Sequence, residues 1–219
     1  MDQVLDIVHE MLGSDAWEMI AAVLAVAYLV LAMRRSLWCW LCAFISTVIY
    51  IVVMARSGLV MDTLLQIYYL IMAVYGYIEW KKGKEDAGEV KVVTWRYTQH
   101  LLAITVVLAL TAINAYALQY LAPMLIAWSL KMNLGYVQFV RSPWLDSLVT
   151  WGSVLTTWMV ARRILENWLY WIAVDGIAAG LYYSRGLKAT AVLFVIYVIM
   201  VVYGYFQWRK GNALVEAAA

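Results

Sequence analysis

Two stretches of this chain are nearly the same: VYGYIEWKKG at residues 74–83 and VYGYFQWRKG at residues 202–211. Working outward from them, residues 34–83 align with residues 162–211 without a gap, at an offset of 128 positions. In this alignment 19 of the 50 positions are identical. Self-similarity at a fixed offset indicates duplication of a structural unit. The chain is therefore predicted to contain two copies of one fold.

The composition predicts an integral membrane protein. Of the 219 residues, 66% are hydrophobic and 14% are charged, whereas soluble domains average about 45–50% and about 25%. A soluble domain of this size would need more polar cover than these side chains supply. The formal net charge is only +2, and no basic run is interleaved with stacking aromatics, so a nucleic-acid partner is not expected. The expected surroundings are the lipid bilayer.

Seven apolar stretches are candidates for membrane-spanning helices, although some are short. Spanning needs about 20 apolar residues in a helix. Strict alternation, the sign of a membrane β-barrel, is absent. The sequence therefore predicts an all-α membrane protein whose spans lie at residues 18–33, 36–55, 62–80, 99–121, 146–161, 166–184 and 189–208.

The repeat gives these spans an order. Each copy holds three helices, an odd number, so two copies joined directly would have opposite orientations in the membrane. The additional helix between them gives both copies the same orientation, and the two repeats are therefore predicted to be parallel. This 3+1+3 arrangement is similar to that of the sugar-transporting SWEET proteins, and it leaves a pathway for a small solute between the repeats. The predicted segments are an amphipathic N-terminus, the first repeat, a linker containing helix 99–121, the second repeat and a tail, at residues 1–17, 18–83, 84–145, 146–211 and 212–219.

The basic residues predict the orientation. Eleven of the 16 lysines and arginines fall on one side of the predicted topology and five on the other. Cytoplasmic loops are enriched in Lys and Arg. We therefore expect the N-terminus outside and the C-terminus in the cytoplasm.

Asp175 is the strongest candidate for a substrate contact. It lies 12 residues after Arg163 and 10 before Arg185, hence near the middle of its span. An ionisable residue at that depth is costly and indicates function. Trp168 and Trp171 precede it at helical spacing, and indole faces attract cations and flat rings. The alternative is a protonated carboxyl group bonded to a neighbouring helix.

The first repeat keeps Trp40 at the position of Trp168 but has Ala43 and Thr47 at the positions of Trp171 and Asp175. An asymmetric ligand would select different residues in the two halves, so this difference favours a binding role. On the third helix of each repeat, Gln66 is a further candidate polar contact. Tyr69 and Tyr197 are candidates as either packing or ligand residues.

The remaining motifs argue against an enzyme. His9 and His100 are isolated from one another and from other candidate catalytic residues, and no phosphate-binding glycine loop occurs. No catalytic residue, metal site or cofactor is predicted. The Y-G-Y-x-x-W blocks, kept in both copies, are interpreted as scaffold and as anchors at the membrane interface.

The stretch SPWLDSLVTWGSVLTTWMVARRILENWLYWIAVD, residues 142–175, resembles the PnuC family of vitamin transporters. The shared elements are P-W-x-D-S, a basic turn before E-N-W-x-x-W, and Y-G-Y-x-x-W at the end of the third helix. The resemblance covers residues 18–211. It implies the 3+1+3 fold, a multi-pass protein of the bacterial inner membrane, and uncoupled uptake of a vitamin such as nicotinamide riboside, which phosphorylation then retains in the cytoplasm.

Two departures from the family pattern bear on the substrate. Members that carry nicotinamide riboside have asparagine where this chain has Asp175 and Ala73. Exchanging two amides for a carboxylate and a methyl group favours thiamine, whose thiazolium is cationic and whose aminopyrimidine can pair with a carboxylate. The chain thus resembles the thiamine branch. Three alternatives remain open: transport of nicotinamide riboside, proton-coupled transport that uses Asp175, and a role as a membrane interaction subunit. Assembly as a homo-oligomer also remains open.

Overall fold

The computed structural model describes residues 15–56, 60–87, 90–131, 142–184 and 188–218. These residues form seven α-helices and, in the described ranges, no strand beyond a single bridge between Val93 and Ile164. The all-α, seven-helix prediction is confirmed. Most of the predicted amphipathic segment lies outside the described residues. The helices are α1 Asp15–Met33, α2 Trp38–Arg56, α3 Val60–Ala87, α4 Tyr97–Lys131, α5 Pro143–Ala161, α6 Asn167–Ser184 and α7 Lys188–Ala218.

Three helices run well past their predicted spans. α3 continues to Ala87, α4 to Lys131 and α7 to Ala218. Apolar length marks only the part of a helix that lies in hydrocarbon, whereas Lys, Glu and Ala readily continue α3 and α7 into a polar environment. The extension of α4 is different, because it is mostly apolar and runs through Pro123.

By length and hydropathy alone, three segments are apolar enough to cross a membrane: Trp38–Arg56, Tyr97–Leu121 and Ala191–Gly211. Others carry more polar side chains that the bundle covers. In α5, Ser147, Ser153, Thr156 and Thr157 are all buried. Packing against other helices thus permits polar spans that hydropathy alone would reject.

The helices pack as two groups. α1, α2 and α3 contact one another in chain order, and so do α5, α6 and α7. The groups meet along two faces, where α3 packs on α5 and α1 packs on α7, and the first of these contacts is the more extensive. α4 packs mainly on α5. At the 128-residue offset, α1, α2 and α3 correspond to α5, α6 and α7, so the α1–α7 face is the counterpart of the α5–α3 face.

The turns after α1 and α5 have the same geometry. Arg35 and Arg163 adopt positive φ angles of 54° and 62°. After α1, the amide of Ser36 donates to the carbonyl oxygen of Leu31 at 3.0 Å, and the equivalent bond after α5 is also 3.0 Å. This is the Schellman pattern that ends a helix. Arginine in the left-handed region costs roughly 1–2 kcal/mol, so tertiary contacts must hold both turns.

Four indoles form a continuous chain through the core. Trp40 packs edge-on against Trp80, and Trp168 against Trp208, each at a centroid distance of 5.3 Å. Trp80 and Trp208 then contact each other at 5.9 Å, which joins the two helix groups. Both are fully buried. The conserved blocks are therefore scaffold, but the prediction that their tryptophans anchor the protein at the membrane interface is wrong, because these rings face inward.

The glycines of these blocks make room for the indoles. A Cβ atom placed on Gly204 would lie 2.6 Å from the ring of Trp168, and one on Gly76 would overlap the ring of Trp40. Only glycine allows the third helix of each group to approach the tryptophan this closely. The invariant Y-G-Y spacing thus has a packing cause.

Candidate functional site

Asp175 lies in the interior of the bundle. Its residue is 6% exposed, and it sits on α6, nine residues after Glu166 at the preceding turn. Among the described residues, no basic side chain forms an ion pair with it. A buried carboxylate without a countercharge is expensive unless a cation or hydrogen-bond donors compensate. The position is therefore poised to attract a positively charged or donor-rich ligand.

Two predicted tyrosines lie near this carboxylate. Tyr69 on α3 and Tyr197 on α7 both lie close enough to Asp175 to feel its charge. Tyr69 also lies near the side chains of Ser153 and Thr157 on α5. Polar side chains of α3, α5 and α7 therefore lie in the same region of the bundle as Asp175 on α6.

Sequence reasoning missed the two α5 residues. Ser153 and Thr157 are one helical turn apart, and the hydroxyl of Thr157 donates to the backbone carbonyl oxygen of Ser153 at 2.8 Å. The signal was present in the sequence, because small polar residues at i and i+4 in an apolar helix mark a face that contacts other helices. Which helix they contact was not readable from the sequence.

Trp168 and Trp40 are core residues at equivalent positions. They are 1% and 2% exposed. Within the described part of the chain, neither indole N–H has a hydrogen-bond partner. Each ring is covered by a tryptophan and by a glycine of the third helix. Their contact with substrate stays a prediction.

Trp171 has a different environment. It is partly exposed and lies at the edge of the core that contains Trp168. It precedes Asp175 by four residues, so the two side chains share a helix face. The first repeat has only Ala43 here, which leaves an aromatic ring beside the carboxylate in one half alone.

Gln66 is half-buried on α3, one turn before Tyr69, and hence on the same face. The neighbouring Tyr68 faces α5 and donates from its hydroxyl to the carbonyl oxygen of Val154 at 2.8 Å. Tyr69, which shares the face of Gln66, lies near Asp175 of the second helix group. Its role as a polar substrate contact stays a prediction.

His100 lies apart from this polar centre. Its Nδ1 shares a 3.0 Å hydrogen bond with the hydroxyl of Tyr170, and the two rings stack. In the described ranges, no group of three histidine, cysteine or acidic side chains is close enough together to hold a metal ion. The chemistry available around Asp175 is therefore recognition by charge, hydroxyl groups and aromatic faces.

A helical membrane bundle with polar side chains converging from both halves on a buried carboxylate is the structure of a solute transporter. Residues 15–210 match the family model described as nicotinamide mononucleotide transporter, and the chain belongs to this family. It is a membrane vitamin transporter of the PnuC family, as the sequence resemblance implied. Neither of the two relatives RibM and PnuC is named for thiamine.

Two relatives are similar over nearly the whole chain. The riboflavin/roseoflavin transporter RibM of Streptomyces davaonensis is 26% identical over 210 residues, covering 92% of this chain and 90% of RibM. The nicotinamide riboside transporter PnuC of Escherichia coli is 21% identical over 216 residues, with the same coverage. A crystal structure of the vitamin B3 transporter PnuC superimposes with a TM-score of 0.71 at 20% identity, covering 96% of this chain and 88% of that one. The structural match establishes the common fold.

Proposed function

We propose that this protein facilitates the uptake of a cationic aromatic vitamin, with thiamine as the first candidate, across the bacterial inner membrane. The observation that carries the proposal is Asp175, a buried carboxylate without a basic partner among the described residues. The solute pathway would run between the repeats 18–83 and 146–211, where Tyr69 and Tyr197 approach Asp175 from opposite helix groups.

The charge and the rings suit thiamine in two ways. Its thiazolium cation would offset the desolvation of the Asp175 carboxylate, and its aminopyrimidine presents an amine that can donate to a carboxylate. Trp171, partly exposed one turn away, offers an indole face for cation–π contact. Gln66 and the tyrosine hydroxyls would supply further polar contacts.

The buried indoles of Trp40 and Trp168 are candidates for additional contacts with the solute. Each has an N–H without a partner among the described residues. An unsatisfied buried donor is costly, and an acceptor on the solute would relieve that cost. We propose that contact with these rings requires a shift of the neighbouring third helix.

Nicotinamide riboside is the second candidate. Its pyridinium is also cationic, so Asp175 would favour it for the same electrostatic reason, and relatives from Escherichia coli and Shigella flexneri are named as its transporters. Riboflavin, for which RibM is named, is neutral, so it lacks the charge attraction to Asp175 and could offer only its ring N–H and ribityl hydroxyls as donors. The rank order thiamine, nicotinamide riboside, riboflavin follows from charge and donor pattern.

Ligand-dependent stabilisation of the detergent-purified protein tests the substrate. Ligands that bind only the folded state raise the unfolding temperature by an amount set by RT ln(1 + [L]/Kd). We expect a shift with thiamine, a smaller one with nicotinamide riboside, and none with riboflavin or deoxynucleosides. A shift with riboflavin alone would refute recognition of a cation and point to the RibM substrate class.

Liposome uptake tests the mechanism. A facilitator equilibrates its solute, so free thiamine should reach only the outside concentration, and an enclosed thiamine-phosphorylating enzyme should raise the total taken up. Accumulation of unmodified solute above equilibrium under an imposed proton gradient would instead support proton coupling through Asp175.

A further inference from the structure

An open groove of about 500 Å³ lies between α1 and α7, and its lining does not include Asp175 or the tyrosines near it. Its polar lining is Arg34, Tyr203 and Gln207, and its apolar lining includes Val30 and Ile199. Arg34 directly follows the last residue of α1, and Arg209 and Lys210 follow Gln207 on α7. The groove therefore combines a basic rim with an apolar wall.

The equivalent place in the other half of the molecule, between α5 and α3, is occupied by an ion pair. Arg162, the counterpart of Arg34, lies 3.3 Å from the carboxylate of Glu79 and donates to the hydroxyl of Tyr75 at 3.3 Å. Tyr75 is matched by Tyr203 across the repeat, but Glu79 is matched by Gln207. A single exchange of carboxylate for amide thus removes the countercharge in one half.

The exchange of glutamate for glutamine leaves Arg34 without an acidic partner in the part of the chain that the structure describes. No acidic side chain among the described residues pairs with Arg34, which is exposed. The α1–α7 contact is also less extensive than the α3–α5 contact. An unneutralised guanidinium beside an amide and a phenol is a ready binding site for a phosphate group.

We propose that this groove binds the headgroup of an anionic phospholipid, with its phosphate on Arg34. The wall favours a lipid over a free anion, because Ile199 and Tyr203 are 65% and 64% exposed on the outer surface of α7. An acyl chain can follow this wall towards the bilayer centre while the headgroup stays at the basic rim. The site uses neither Asp175 nor the tyrosines near it, and it does not depend on which vitamin is carried.

The test titrates the detergent-purified full chain with short-chain phosphatidylglycerol, short-chain phosphatidylcholine or inorganic phosphate, and follows the unfolding temperature and bound lipid by native mass spectrometry. We expect phosphatidylglycerol to bind and stabilise, and the other two to do so far less. Arg34→Gln should weaken phosphatidylglycerol binding about tenfold or more, the usual weight of a charge-assisted hydrogen bond.

Two further variants make the result specific. Gln207→Glu should give Arg34 a carboxylate partner like the one that Arg162 has. It should therefore weaken phosphatidylglycerol binding as much as Arg34→Gln does, without removing the arginine. Arg162→Gln removes the same charge from the ion-paired half and should leave lipid affinity unchanged. If Arg34→Gln fails to fold, the phosphatidylglycerol affinity of Gln207→Glu tests the proposal by itself.

Three outcomes would overturn the proposal. Equal stabilisation by phosphatidylcholine would remove the role of charge. Equal binding of inorganic phosphate would identify a free-anion site in place of a lipid site. Unchanged phosphatidylglycerol affinity in Gln207→Glu would place the lipid elsewhere on the protein.

Discussion

The indole nitrogen of Trp208 donates a hydrogen bond to the carbonyl oxygen of Ala32, 176 residues earlier in the chain, at 3.0 Å. The same bond recurs between Trp80 and Val160 at 3.2 Å. Ala32 and Val160 lie in the last turns of α1 and α5, and each carbonyl oxygen also accepts the backbone amide of the arginine three residues later, at 2.9 Å and 3.0 Å. Each repeat thus caps the first helix of the other, and the two bonds fasten the halves together at one end of the bundle.

Removing this bond should loosen the assembly of the two halves. Trp208→Phe deletes the donor and part of the ring, and we expect it to destabilise the protein by about 1–3 kcal/mol. The measurement is thermal unfolding in detergent. Trp80→Phe should cost a similar amount because its environment is equivalent. A loss in only one of the two would contradict an equal role for the reciprocal bonds.

The close approach at Gly204 should not tolerate a methyl group. Gly204→Ala forces a Cβ to within 2.6 Å of Trp168, and overpacking of this kind costs about 1–3 kcal/mol. Gly180→Ala is the matched control, since nothing lies within 4 Å of its Cβ position. It should be neutral or stabilising by up to about 1 kcal/mol through helix propensity. Equal unfolding temperatures for the two variants would argue against the packing role of Gly204.

Replacing Trp168 and replacing Trp171 should have different effects on stability and on vitamin binding. Trp168→Ala empties a core position and should destabilise the fold by about 3–5 kcal/mol. Trp171→Ala should leave folding largely intact while weakening vitamin binding by about 1–2 kcal/mol, the size of a partly desolvated cation–π contact. Unfolding temperature and ligand affinity are measured on both. Normal affinity in Trp171→Ala would exclude its ring from the binding site.

Asp175→Asn tests the electrostatic basis of specificity. It keeps the shape of the side chain but removes the charge, so thiamine affinity should fall by about 1.5–3 kcal/mol. Nicotinamide riboside should lose less, because members of the family that carry it are expected to have the amide at this position. Specificity is a difference of affinities, so both ligands are measured on both proteins. Unchanged thiamine binding would make Asp175 a structural acid.

The orientation can be checked by labelling from one side of the membrane. The charge distribution predicts Arg56 outside and Lys210 in the cytoplasm. In a background without Cys39 and Cys42, Arg56→Cys should react with an impermeant thiol reagent in intact cells, and Lys210→Cys only after permeabilisation. The reverse pattern would invert the topology.

The sequence alone determined that the fold is helical, how many helices the described residues form, and that Asp175 lies on the sixth of them. Apolar length and the spacing of charges are local properties, and the bilayer imposes one solution on them, because every backbone group must be satisfied within a helix. The repeated Y-G-Y-x-x-W blocks were also identified as scaffold from their survival in both copies. The environment of Trp80 and Trp208 could not be predicted from the sequence, because an aromatic residue near a helix end is equally compatible with contact to lipid and with burial in the core.

Only the tertiary structure decided which helices meet. Tyr69 contacts Ser153 and Thr157 across 84 and 88 positions of sequence. Arg34 and Arg162 occupy equivalent positions in the two repeats, yet one lines an open groove and the other is ion-paired. The difference depends on whether the facing helix presents glutamine or glutamate. Contacts of this kind are set by the packing of whole helices, and such packing is a sum of many weak, non-local interactions that no local pattern encodes.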